Sequence, residues 1–101
     1  EQLCLDIGIG FSKSTEDNFE LIRRLEWLKF KDIALLVAAS RKRFIGEASG
    51  EANSALRDSG TAAVDTAAIA GGADIIRVHD VAGAVQAARV ADAIYRGAAN
   101  G

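Results

Sequence analysis

Arg77-Val78-His79-Asp80 have the types and order of an anion-handling strand end. In an extended strand Arg77 and His79 point to one side, and Ile76 and Val78 to the other. Arginine offers a planar fork to a phosphate, and a neighbouring imidazole adds a donor. Two such side chains on an otherwise buried strand are costly unless an anion or a polar group meets them. The plain alternative is an ion pair with Asp6 or Asp80. A second cluster, Ser40-Arg41-Lys42-Arg43, sets three cations in a row after an apolar run. It reads as an anion site or as a solvated basic turn. Near the N-terminus, Asp6 is followed by Gly8-Ile9-Gly10-Phe11. This is not a P-loop, since Gly10 and Lys13 are not adjacent, and Lys13 stands where a dinucleotide fingerprint needs its third glycine. A tight strand-to-helix turn accounts for the two glycines. With His79 the single histidine, a centre of several His ligands is excluded. Ser40, His79 and Asp80 spell a hydrolytic triad, but nothing around Ser40 resembles a nucleophile elbow. Cys4 reads as a small core residue.

These residues need elements to hold them. Three short apolar runs stand out: Leu3-Cys4-Leu5 continuing toward Ile7 and Ile9, Ile33 to Val37, and Ile75 to Val78. Each suits a parallel strand buried on both faces. From Thr15 to Lys31, Phe19, Ile22, Leu25 and Leu28 recur at three-residue spacing and predict a helix, capped by Ser14 or Thr15. Arg41 to Ser59 is polar and glycine-dotted, and predicts a loop with a short helical turn near residues 43–48. Gly60 to Ala70 is an alanine-rich helix ended by Gly71-Gly72. Asp80 caps a last helix from Val81 to Arg96, stopped by Gly97. The order is β-α-β-α-β-α, an α/β chain with parallel strands and crossover helices. In such sheets ligands bind at the carboxyl ends of the strands. Asp6, Ser40, Lys42, Arg77 and His79 therefore share one sheet end, acidic at the first strand and basic at the next two. That suits a ligand with a hydrogen-bond-donor end and a phosphate-like end.

Composition narrows the classes. The chain has 101 residues, half of them hydrophobic (50%) and a quarter charged (26%), which fits one globular domain and not a disordered segment. A net charge of −2 argues against a nucleic-acid binder driven by phosphate neutralisation. No apolar run reaches the roughly 18–20 residues a membrane span needs, and Glu1-Gln2 do not open a signal peptide. The sequence contains neither proline nor methionine. The missing methionine suggests a processed chain or a piece of a larger one, and a lone cysteine suggests no oxidising compartment.

Three ordered segments resemble a known family. Leu5-Asp6-Ile7-Gly8-Ile9-Gly10-Phe11 is similar to the LDPGIGF segment of the dihydropteroate synthases. Ser40-Arg41-Lys42-Arg43-Phe44-Ile45-Gly46 is similar to their SRKxFIG loop. Gly72 to Val81 is similar to their GADIIRVHDV strand, and Arg89 to Ile94 to their closing helix. Arg57-Asp58-Ser59-Gly60-Thr61 is nearest the plant and fungal versions. The family is a (β/α)8 TIM barrel, and residues 1–101 resemble its last three βα units, a single partial-barrel unit.

The resemblance implies a folate-biosynthesis transferase. It joins p-aminobenzoate to the methylene of 6-hydroxymethyl-7,8-dihydropterin pyrophosphate and releases pyrophosphate with Mg²⁺. It further implies that Asp6 and Lys42 bind the pterin, Ser40 and Phe11 meet p-aminobenzoate, and Arg77 and His79 hold the pyrophosphate. A cytoplasmic location is expected, or an organellar one for a plant-like version. Departures accompany the likeness: Ile7 and Ala34 stand where the family has proline, Ala38-Ala39 replace a usual Gly-Thr, and Ser54 replaces a plant-type proline. The first five strands, which carry the Mg²⁺-binding Asn and further pterin ligands, have no counterpart here. The isolated chain is therefore expected to be inactive. The alternative is a non-catalytic fold or assembly element, an engineered or recombined barrel fragment; a generic anion-binding module is a third reading. Three barrel strands leave open edges and a bare inner face. A homo-oligomer, a complementing N-terminal barrel part, or a helix moved across to make a three-layer sandwich would each cover it.

Overall fold

The structure is a computed structural model that describes residues 3–6, 14–28 and 33–97. Its centre is β2, Ile33–Val37, where a continuous apolar run favours a buried strand. β1, Leu3–Asp6, pairs with it in parallel, Leu3 opposite Ile33 and Asp6 opposite Leu36. β3, Ile75–Ile76, pairs in parallel on the other side, giving the order β1-β2-β3. Sequential parallel neighbours joined by helices are what the β-α-β-α-β-α reading predicts.

The helix after β1 is shorter than expected. α1 spans Thr15–Arg23, with Ser14 as cap: its Oγ accepts from the Asp17 N–H at 3.1 Å. At Arg24 the chain tightens, the N–H shared between the Glu20 and Leu21 carbonyls, and a 3-10 turn follows over Leu25–Leu28. The apolar spacing explains the change. A three-residue repeat matches three residues per turn, so the tighter winding carries Leu25 into the core, where it is fully buried. Lys29 and Lys31, placed at the end of this helix by the sequence, lie outside the described residues, as do Ile7 and Ile9.

Between β2 and β3 the expected short turn is a two-turn helix, α2, Arg43–Ser49, closed by Gly50 at φ 80°. That left-handed backbone is where glycine is favoured. A 3-10 turn, Ser54–Leu56, leads into α3, Asp58–Ala70. α4 spans Val81–Arg96 as predicted, the Asp80 side chain accepting from the Gly83 N–H and Gly97 ending it at φ 63°.

β3 is two residues long, not the four expected. Before it, Asp74 brackets Leu35: its N–H donates to the Leu35 carbonyl at 2.8 Å and its Oδ2 accepts the Leu35 N–H at 2.9 Å. After it, the Arg77 N–H donates to the Val37 carbonyl at 3.1 Å. Strand pairing then gives way to a side chain, because Ser40 Oγ takes the His79 N–H at 3.1 Å.

Burial on both faces is not found. Leu35, Val37 and Ala39 are fully buried against Ile22, Leu25, Phe44, Ile45, Val64 and Ala68, while Ala34, Leu36 and Ala38 are only half-buried. A continuous apolar run conceals this difference, because both faces carry apolar residues although only one meets helices. α4 packs against α3, so the sandwich with a helix on the far face is not formed among the described residues. Arg96 holds α4 in place by donating to the Ile69 and Ala73 carbonyls at 3.0 and 2.7 Å.

Candidate functional site

The carboxyl ends of the three strands gather most of the residues singled out by the sequence. Asp6 closes β1 opposite Leu36. Ser40 lies three residues beyond β2, and Arg77 and His79 follow β3 directly. Phe11 lies outside the described residues.

Ser40 and His79, 39 positions apart, meet. Ser40 is 92% buried, its relative exposure being 8%, and its Oγ lies 2.7 Å from His79 Nδ1 while also accepting the His79 backbone N–H. A hydroxyl that accepts from one group has its own proton for another. Ser40 Oγ can donate to a bare Nδ1 or accept from a protonated one, so the contact fixes the orientation of the ring and not its tautomer. His79 and Arg77, which precedes it by two residues, both have exposed side chains. Ion pairing of Arg77 or His79 with Asp80 is not what the described contacts show. The expectation that both need an anion to offset burial is corrected as well. Both are exposed, because only one face of the sheet is covered.

The run of three cations does not act as a unit. Arg41 forms a two-pronged pair with Asp58, Nε to Oδ1 at 2.8 Å and Nη2 to Oδ2 at 3.0 Å. This pairing holds the Asp58 carboxyl below its usual range and raises Arg41, hydrogen bonding being the main cause in each. Arg43 pairs with Glu47 one helical turn on, at 2.9 Å. Lys42 is the N-cap residue of α2 and is half-buried. The anion site of three neighbouring cations is thus replaced by two carboxylate-paired arginines flanking Lys42.

Arg41 has φ 60°, rare for a residue with a side chain. The conformation is held from three directions: its N–H donates to Thr61 Oγ1 at 3.0 Å, its guanidinium grips Asp58, and its carbonyl accepts from Arg57 Nη1 at 3.0 Å. Such a sharp turn swings Ser40 toward His79 while starting α2 in a new direction. Arg57 also donates to the Glu51 and Ala52 carbonyls, drawing the 50–57 loop under α2. Gly46 makes room for it: a Cβ there would lie 2.5 Å from the Arg57 guanidinium. Sequence reasoning passed over Arg57, Asp58 and Thr61 as functional supports. The only local signal was their place in the family-like Arg57–Thr61 segment.

Asp65 was also missed. It is 98% buried in α3, at 2% relative exposure, and neither carboxylate oxygen has a hydrogen-bond partner. Burial pushes its carboxyl up to about 6. Among the described residues, no three His, Cys, Asp or Glu side chains gather to hold a metal ion. No described helix is long and apolar enough to cross a membrane.

Comparison with known proteins gives the architecture its context. The family model of pterin binding enzymes matches residues 1–79. A dihydropteroate synthase of Synechocystis is 50% identical over 96 residues, covering 95% of this chain and 33% of its own length. Among solved structures, the Thermus thermophilus dihydropteroate synthase in complex with 6HMPPP superposes with a TM-score of 0.86 at 41% identity, over 93% of this chain and 38% of that one. The Xanthomonas albilineans enzyme with 4-aminobenzoic acid gives 0.86 at 41% identity, over 90% and 34%. The chain spans about a third of the length of each of these three relatives. The chain belongs to the pterin binding enzyme family, and its parallel β1-β2-β3 sheet with the helices around it matches part of the dihydropteroate synthase TIM barrel.

Proposed function

We propose that this chain supplies the pyrophosphate end and the p-aminobenzoate end of a dihydropteroate synthase site, completed by the remaining barrel strands. The observation that carries this is the Ser40–His79 contact at 2.7 Å beside exposed Arg77. It orients the His79 ring two positions after the exposed Arg77 guanidinium, and the two groups together suit the oxygens of a leaving pyrophosphate. Relatives in complex with 6HMPPP and with 4-aminobenzoic acid support the substrate class.

In this reading Asp6 and Lys42 bind the pterin, Ser40 and Phe11 face p-aminobenzoate, and Arg77 and His79 hold the pyrophosphate. The carbon–oxygen bond of the dihydropterin pyrophosphate breaks with its electron pair leaving on the pyrophosphate. The amine of p-aminobenzoate then attacks the pterin methylene and gives up a proton. Arg77 and His79 act where negative charge grows, which is where fixed donors lower a barrier most. Ser40 joins the two substrate ends, because it orients the His79 ring and lies beside the proposed p-aminobenzoate position.

A chimera tests the proposal. The corresponding segment of the Synechocystis enzyme is replaced by this chain, and pyrophosphate release is followed with both substrates. The chimera is expected to turn over, and Arg77→Ala within it to lower the rate by about a hundredfold. A folded chimera with no turnover, or one indifferent to Arg77→Ala, overturns the assignment. The chain by itself is expected to release no pyrophosphate, because the other walls of the substrate site are missing. Micromolar binding of the pterin pyrophosphate by the isolated chain would contradict that.

A further inference from the structure

A second site lies in the cleft between α3 and α4. It encloses about 430 Å³, within the usual range for small-ligand sites, and Asp65 lines it. A carboxylate that is 98% buried with both oxygens unpartnered is costly as it stands. We propose that this cleft binds a small organic cation of the alkylguanidinium class, the guanidinium fork resting on Asp65 and the alkyl stem on the apolar wall.

Three observations choose this ligand. Neither Asp65 oxygen has a hydrogen-bond partner, and a planar guanidinium supplies two parallel N–H donors that match a carboxylate. The charged residues lining the cleft are all acidic: Asp58 and Asp65 from α3, and Asp80 before α4. Asp58 is already gripped by Arg41 and Asp80 caps α4, which leaves Asp65 as the acceptor. From α4 the wall carries Ala84, Ala87 and Val90 with no ionisable group, and Val78 enters from the sheet. Such a wall suits methylene groups rather than a hydrated inorganic ion. The inference is independent of the transferase reading, since none of the residues proposed for substrate lines this cleft.

The test is titration of the 101-residue chain with ethylguanidinium at constant ionic strength, followed by amide NMR shifts on α3 and α4. The blocked tripeptide N-acetyl-Gly-Arg-Gly-amide, run in parallel, distinguishes a free cation from an arginine presented by another protein. Saturable binding of either probe is expected at pH 7.5, weakened about tenfold or more by Asp65→Asn. Lowering the pH to 5 should weaken it about tenfold, because a carboxyl at about 6 is mostly protonated there. His79, next to Asp80, and Asp58 with its Arg41 partner remain in Asp65→Asn, so that variant reports their share of the pH effect. Ala87→Leu, which fills the cleft and keeps the carboxylate, should also block binding. The proposal fails if neither probe saturates, or if Asp65→Asn and Ala87→Leu, shown folded by their spectra, bind as the parent does.

Discussion

The segment from Val37 to Thr61 and the segment from Ile75 to Arg96 each contain a strand end of the same sheet and the helix that follows it. They are held in different ways. In the first, Arg41, Arg57, Asp58 and Thr61 join every turn of the loop to its neighbours, and Phe44 and Ile45 are buried beside fully buried Leu35 and Val37. In the second, the strand is two residues long and α4 shows Val81, Val90, Ile94 and Tyr95 more than half exposed. Beyond the packing of α4 on α3, its attachments are the Ser40–His79 contact at one end and the Arg96 clamp at the other. Positioning in the first region comes from many small interactions of one covered face. In the second it comes from one helix pair and a few polar contacts, and these include His79, proposed to handle pyrophosphate.

That contrast has measurable consequences. The largest is expected at Leu35→Ala, which removes a fully buried side chain between the sheet and three helices: a loss of about 3 kcal/mol in urea unfolding. Next comes Arg57→Ala, which leaves the Arg41, Glu51 and Ala52 carbonyls without their donor. We expect a loss of about 2 kcal/mol and faster hydrogen exchange through residues 50–57. Faster exchange in α4 instead would break the division into two regions.

Asp65 lies where the regions meet, and its effect has the opposite sign. Its folded-state carboxyl sits at about 6, above its unfolded value of 3.8. The folded state therefore binds the proton more tightly, and stability falls as the pH rises from about 4 through 6. Screening at the open cleft mouth limits the penalty, so Asp65→Asn should stabilise the chain by about 1–2 kcal/mol at pH 7.5. It should have little effect at pH 4, so parallel denaturation curves at the two values check the sign. The smallest effect is expected at Ile94→Ser, within about 0.5 kcal/mol by the same unfolding assay, because that side chain is mostly in water already. A loss above about 1 kcal/mol would mean that α4 is covered by a partner in solution.

Local patterns were legible where local forces decide. The bounds of α4 follow from Asp80 and Gly97, a side-chain cap and a left-handed stop that act within a few residues of themselves. The three-residue apolar spacing after Ser14 pointed to helical winding but not to its tightening at Arg24. That tightening depends on Leu25 finding the core. The continuous apolar runs marked the strands, yet could not show that Ala34 and Leu36 face an open side.

The site divides along the same line. Sequence alone determined which residues stand at the strand ends, since order and period place Asp6, Ser40, Arg77 and His79 there in a parallel sheet. It also carried the three segments that identify the family. Only the tertiary structure decided what each side chain meets. Arg41 is taken up by Asp58 seventeen positions away, Ser40 turns the His79 ring across thirty-nine, and Asp65 is left without a partner. Period and capping are set by neighbours along the chain. Hydrogen bonds and desolvation are set by neighbours in space, and these exist only once the helices have packed on one face of the sheet.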